Sequence, residues 1–387
     1  MVKVLAACVS LALSLGFADN AFVPLLRVLA NTFDAFRYHH FAARLAEVPL
    51  NDLGRFAENL PFEQPGYVLF LSTMYRLLGD SPYIGCAVNW ALCVVAGLML
   101  CDCVKDRVAS TVPLFCVWIL GPDTIYWCGS TTKEPLAALL LILGVWSVIR
   151  KRWGVFVGSA VLAIWVRSAQ LPILAAAALS SFPRLRRFRI APLGVAFSLL
   201  ALYVSSSADD ELSPLGRAGH DRLVHDTVFA DNTSQGSILL GLGSENRMID
   251  ALAVLPRGVV NVIAPSYINP FALPLVSITG TSWLLWAGGV LAAGALLMVM
   301  LQGNAASGDE TPREVHVLRA ATLIAILVLG FSGIIHERYH SIVVPTLLPW
   351  AACCLKTERL RYGYVRLAFV AGFGGVLMAL TYAALKT

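Results

Sequence analysis

One carboxylate and three cationic spots in this sequence have the residue types that chemistry on a phosphorylated substrate needs. The carboxylate is Asp34, near the middle of the polar stretch Asp19 to Gly79 and at the head of the run Asp34-Ala-Phe-Arg-Tyr-His-His-Phe-Ala. The cations are Lys133, beside Glu134 in Thr132-Lys133-Glu134-Pro135; Arg167, set among the apolar Trp165, Val166 and Leu171; and Arg338, inside His336-Glu337-Arg338-Tyr339-His340. A carboxylate can take the proton of an attacking hydroxyl, and cations can hold a phosphate or pyrophosphate leaving group. Charges near membrane depth cost about 2.5–3.5 kcal/mol each on insertion scales, so they pair or serve a site.

The elements that must position these residues are membrane helices. The chain has 387 residues, is 58% hydrophobic and 14% charged, and has a mean hydropathy of +0.72, too apolar for a water-soluble globule of this size. Its apolar runs are continuous rather than alternating, which points to helices and away from a transmembrane barrel. The expected fold class is all-α, a polytopic bundle of about ten to twelve spans of about 20 residues each. No soluble domain and no internal repeat is visible, so residues 1–387 read as a single transmembrane domain in a bacterial inner or cell membrane. The net charge of +5 says little about nucleic acid. Basic residues instead mark span ends and report orientation.

With Lys3 cytoplasmic, residues 18–64 form a first outer loop with interfacial helices, Phe33, Phe36 and Phe41 lying on the bilayer surface. A cleaved signal peptide over Val2 to Phe17 is the lesser alternative. Pro65 to Leu78 is short for a span and reads as re-entrant or interfacial. Tyr83 to Cys103 returns to Lys105 and Arg107. Gly154 to Phe182 lies between the basic groups Arg150-Lys151-Arg152 and Arg184 to Arg189, which predicts a hairpin of two short helices with Arg167 at its tip. Residues 205–257, with eight acids against four arginines, form a second outer loop; Val259 to Ile278 is broken by prolines; residues 302–318 are a cytoplasmic linker. The late helices are Ala320 to Ile335 and Val343 to Cys354.

Several motifs together resemble a family. Asp34-x-x-x-Tyr38 with Ala42 and Leu45, then Gln64-Pro65-Gly66-Tyr67-x-x-x-x-Ser72-x-x-Tyr75-Arg76-x-x-Gly79-Asp80, is similar to the first outer loop of the polytopic GT-C glycosyltransferases, a group that includes lipid A aminoarabinose transferases and protein mannosyltransferases. Asp123 to Pro135 resembles their second outer segment in its Lys-Glu variant, and Arg338-Tyr339-His340-x-x-x-x-Pro345-x-x-x-Pro349 resembles their late Arg-Tyr-Arg helix start. The motifs are short and touch about half of the chain, in order. The resemblance implies an inverting transfer of a sugar from a polyprenyl-phosphate donor to a glycan, lipid or protein acceptor on the non-cytoplasmic face. It makes Asp34 the general base, lets Lys133, Arg167 and Arg338 hold the phosphate, and adds Tyr38, Glu134 and His340 to the substrate contacts. Two positions depart from the pattern: His340 stands where a second arginine is common, and Ala35 follows Asp34 where an acid would supply a metal ligand.

Structural readings stand beside these. Asp34 also fits a solvated loop residue or a helix cap, and Asp19, Asp52 and Glu63 are rival carboxylates. Lys133 and Glu134 could pair with each other or snorkel, and Arg338 suits an interfacial anchor. No cofactor is expected. His220 and His225 with Asp221 and Asp226 meet no ligand-spacing rule, so no metal site is indicated. Nine cysteines without a CxxC spacing read as small buried or lipid-facing residues. Two other function classes fit the same layout: a surface-polysaccharide polymerase or ligase, and a transporter or flippase of lipid-linked oligosaccharide.

Overall fold

The computed structural model describes residues 1–23, 34–52, 65–182, 312–331 and 340–354, with isolated positions between 259 and 299. Every described element is helical. The chain divides into two compact units, residues 1–171 with 273–288 and residues 172–272 with 289–387.

The first unit is organised on one long helix. Helix α1 (Val2–Phe17) continues into a π-helical turn (Ala18–Phe22); α2 is Asp34–Glu47, α3 Gly66–Leu78, α4 Pro82–Val104, α5 Val112–Ile119, α6 Pro122–Cys128, α7 Glu134–Ile149 and α8 Trp153–Arg167. Helix α4 packs against α1, α3, α5, α6 and α7. Its buried stripe runs through Gly85, Cys86, Asn89, Cys93, Ala96 and Gly97, small residues at helical spacing. Small side chains let backbones approach, which replaces the hydrophobic drive that helices lack among lipid tails. A Cβ on Gly97 would stand 2.7 Å from Trp118 Cδ1. All nine cysteines are free thiols, and six of them are buried.

Three described runs are long and apolar enough to cross a membrane: Val2–Asn20, α4, and Trp153–Ser180. Helix α7, of 16 residues, is shorter. Helix α3 has 13 residues, about 20 Å at 1.5 Å per residue, less than a bilayer core. Gly79 ends it in the left-handed region, at φ 101°.

Hydrogen bonds fix which helix ends lie together. Lys3 Nζ donates to Thr111 Oγ1 at 2.9 Å, joining the start of α1 to the start of α5. Cys101 Sγ reaches Thr111 O at 3.3 Å, adding the end of α4. Arg150 Nε donates to Asp102 Oδ2 at 2.9 Å, adding the end of α7. The same carboxylate receives Trp146 Nε1 at 2.7 Å and pairs with Lys105 at 2.7 Å. This basic end carries Lys3, Lys105, Arg107, Arg150, Lys151 and Arg152, and Arg152 lies over the Trp146 ring at 5.2 Å. At the other end, Tyr83 Oη donates to Asp19 Oδ1 at 2.8 Å, and the rings of Phe17 and Tyr126 meet edge to face at 5.7 Å. The two ends are about 24 Å apart, the length of α7.

The apolar stripe of helix α2 is docked on α3. Tyr38, Ala42 and Leu45, at i, i+4 and i+7, are buried against Tyr67, Val68, Leu71 and Tyr75 of α3. Phe36 stacks on Phe22 at 5.1 Å. At the far end of α2, Arg76 donates to the carbonyls of Leu45 (2.7 Å) and Val48, satisfying acceptors that a helix end leaves open.

Helices α7 and α8 form a packed antiparallel pair, closed by Arg150-Lys151-Arg152 with Lys151 at φ 59°. Arg167 ends α8 in an extended conformation, φ −161°, ψ 88°, before a 3-10 turn (Ser168–Gln170) and α9 (Leu171–Ser180). Two short helices thus cover this segment with Arg167 at their junction, and α8 packs on α7 and α3.

The second unit has two further described helices, packed together: α10 (Arg313–Phe331) and α11 (His340–Cys354). Helix α10 starts inside the segment expected as linker. Glu314 in its first turn suits the helix dipole, and Val317 and Leu318 are buried in its second. Helix α11 starts at His340 rather than Val343 and contains Pro345 and Pro349. The second outer loop, 205–257, and nearly all of the segments 259–278 and 302–318 before α10 lie outside the described residues.

Candidate functional site

Opposite the basic end, the turn from α6 to α7 leads into a buried charged residue, Glu134. Pro135 fixes the first turn of α7 and leaves Glu134 at its start. Because α8 runs back antiparallel, Arg167 at its end arrives beside Glu134, with Nη2 3.5 Å from Oε1. Glu134 is 1% exposed and Arg167 7%. Two opposite charges this deep are tolerable only together, since either alone would be stranded in a medium that cannot solvate it. The partner of Arg167 thus lies 33 residues earlier in the chain.

A single amide holds the turn. Asn89, fully buried on α4, donates through Nδ2 to the carbonyls of Ser130 (2.8 Å), Thr132 (3.1 Å) and Trp127 (3.3 Å), and accepts Tyr67 Oη at 3.1 Å. Its only signal in the sequence is its polarity inside the apolar run of α4. Tyr67 in turn meets Tyr38 edge to face, centroids 5.3 Å apart. Gly66 at the start of α3 lies so close to α8 that a Cβ there would be 2.6 Å from Trp165 O.

The first-loop helix reaches the same turn. Thr131 Oγ1 donates to Ala35 O at 2.6 Å, so the first turn of α2 is latched to the residues just before Lys133 and Glu134. Asp34 is the first residue of α2; its side chain lies outside the described residues. Behind the latch, His39 Nδ1 and Tyr75 Oη are hydrogen-bonded at 2.8 Å. Burial pushes the His39 imidazole down to about 4, against the opposing pull of Asp80, and His40 adds to the depression.

The predicted site residues thus fall into three sets. Glu134 and Arg167 are in contact, Lys133 precedes Glu134 and is half-buried, and the backbone of Asp34 opens the helix latched to their turn. Tyr38 is packed between α2 and α3, with its ring edge to face with that of Tyr67. His340 is buried at the start of α11 in the second unit, and Arg338 lies outside the described residues. Of the rival carboxylates, Asp19 is bonded to Tyr83, Asp52 is exposed, and Glu63 lies outside the described residues. Asp123, buried on α6, precedes the same turn. Among the described residues, no group of three or more metal-ligating side chains is present. The chain matches no family model, no curated protein and no solved structure.

Proposed function

We propose that this chain is a multi-pass membrane glycosyltransferase with a GT-C-like bundle of about ten to twelve spans, and that its site is the end of the first unit where Glu134 and Arg167 meet. The basic end, with six lysines and arginines against Asp102 and Asp106, is the cytoplasmic one on positive-inside grounds. The Glu134–Arg167 end then opens on the non-cytoplasmic face, where a polyprenyl-phosphate sugar presents its headgroup. The observation that carries the reading is the latch: the helix headed by Asp34 is bonded through Ala35 to the turn that delivers Lys133 and Glu134 to Arg167.

In this reading the acceptor's hydroxyl oxygen attacks the anomeric carbon. Asp34 takes the hydroxyl proton, the bond from that carbon to the phosphate oxygen breaks, and the phosphate leaves with the bonding electron pair. Lys133 and Arg167 offset its growing negative charge. Attack from the face opposite the leaving group inverts the anomeric configuration.

The test uses membrane vesicles holding the full chain, supplied with a panel of radiolabelled polyprenyl-phosphate pentoses and hexoses. Wild type transfers label to an acceptor. Asp34→Asn lowers the rate on the order of 10²–10⁴-fold, because an amide cannot take the proton. Transfer that is undiminished in Asp34→Asn removes the proposed base, and absence of transfer from every donor removes the activity.

A further inference from the structure

Native proteins leave few buried polar atoms without a hydrogen-bond partner, and each one calls for a reason. Among the described residues, several of them gather where α6 turns into α7: both carboxylate oxygens of Glu134, Oε1 of Gln170 and Oγ1 of Thr132. Glu134 is 1% exposed, Gln170 0% and Thr132 3%.

Bonds around them tie these three residues to the α6–α7 turn and the first turn of α7. Gln170 Nε2 donates to Ala137 O at 2.7 Å, and Ala137 stands one helical turn after Glu134. Arg167, three residues before Gln170, reaches Glu134 at 3.5 Å. Thr132 lies two residues before Glu134, with its carbonyl held by Asn89 at 3.1 Å. The orientation of the Gln170 amide is dictated by its partner: only the NH2 group can face a carbonyl, which leaves Oε1 on the other side with no donor.

The set is weighted toward acceptors. Carboxylate and amide oxygens only accept, and a threonine hydroxyl does either. A phosphate would bring more acceptors to the same oxygens and be repelled by them. An ammonium would supply donors but also a third positive charge beside Arg167 and Lys133. A neutral group with several hydroxyls supplies donors without charge. We infer that Glu134, Gln170 and Thr132 form a subsite for the hydroxyls of a sugar ring, next to the cations that hold the phosphate. The inference deepens the glycosyltransferase reading and rests on it for the identity of the sugar's carrier. Gln170 and Thr132 are the residues it adds.

The test separates the sugar from the carrier. The full chain in lipid nanodiscs is titrated with hexyl glycosides of glucose, galactose, mannose and arabinose below their micellar concentrations, and with a hexyl ethylene-glycol ether that has no ring hydroxyls. Binding is read from the shift in unfolding temperature. At least one glycoside binds wild type on the order of tenfold more tightly than the ether, and Glu134→Gln, Gln170→Leu and Thr132→Val each reduce that preference, the first two to near unity. If Glu134→Gln does not fold, because Arg167 has lost its counter-charge, the other two variants carry the comparison. No preference in wild type, or one that persists in both Gln170→Leu and Thr132→Val, overturns the subsite. Polyprenyl phosphate without a sugar, titrated in the same discs, bears on the carrier alone: failure to bind sinks the phosphate assignment while the glycoside result still decides the subsite.

Discussion

Replacing Glu134 with glutamine keeps the shape of the side chain and removes the charge that stands 3.5 Å from the buried Arg167 guanidinium. Coulomb's law at the observed 3.5 Å gives about 5 kcal/mol for the pair at an effective dielectric of about 20. Loss of one partner of a buried pair costs about 3–5 kcal/mol, most of it the penalty for the charge left behind. Arg167→Met strands the carboxylate instead and falls in the same range. The double variant strands neither, so its loss is smaller than the sum of the two single losses by more than about 1 kcal/mol. Asp106 provides the contrast: it is 60% exposed and 3.3 Å from Arg150, so Asp106→Asn costs less than about 1 kcal/mol. The assay is the unfolding temperature of the full chain in one detergent, measured for the four members of the cycle and for Asp106→Asn. Additive single losses of less than about 1 kcal/mol each would refute a desolvated, mutually dependent pair.

Three further perturbations follow from the same geometry. Gly97→Ala places a Cβ 2.7 Å from Trp118 Cδ1, so it lowers the unfolding temperature by an amount equivalent to about 1–3 kcal/mol, whereas Gly158→Ala, with nothing within 4 Å, has no such cost. His39 is depressed from its ordinary 6.5 to about 4, so between those values the unfolded chain holds the extra proton; stability rises as pH climbs through that window, by on the order of 3 kcal/mol, and is level above it. His39→Phe flattens the rise, as read from unfolding temperature against pH, and an unchanged slope in that variant contradicts the assignment. A reporter active only outside the cytoplasm gives signal when inserted after Asp80 and none after Arg152; the reverse pattern inverts the orientation.

What could be read from the sequence follows from how local its cause is. Helix α4 was legible because 23 mostly apolar residues between a Gly-Asp-Ser-Pro breaker and a basic stop have no other use. The shortness of α3 was legible from Pro65 and Gly79, and Arg167 stood out because a lone cation among apolar neighbours is costly. The partner of Arg167 was not, because pairing with Glu134 depends on the length of α8 matching that of α7, so that two residues 33 apart return to one level. The docking of helix α2 on α3 was hidden for a related reason. An amphipathic stripe is the same whether it faces lipid headgroups or another helix, and only the facing stripe of α3, with Tyr67, Leu71 and Tyr75, decides between them. Asn89 gave a single letter of polarity, and its three carbonyl partners arise from a turn whose shape no local rule encodes.

The position of Asp34 is governed by contacts that involve other residues. Its helix is held near its start by Thr131 on Ala35 and by Phe36 on Phe22, and at its end by Arg76 on Leu45 and Val48. Thr131 belongs to the turn that Asn89 shapes, and that turn leads directly into Glu134. The acid of the first loop and the ion pair at the α7–α8 end therefore share one mechanical frame, built from α2, α3, α4 and the 128–134 turn. A general base must sit within hydrogen-bond reach of its proton, and displacement of about 1 Å is enough to cost a large factor in rate. For the proposed base, that precision comes from docking α2 onto α3, and the Thr131–Ala35 bond fixes the end of the helix where Asp34 stands.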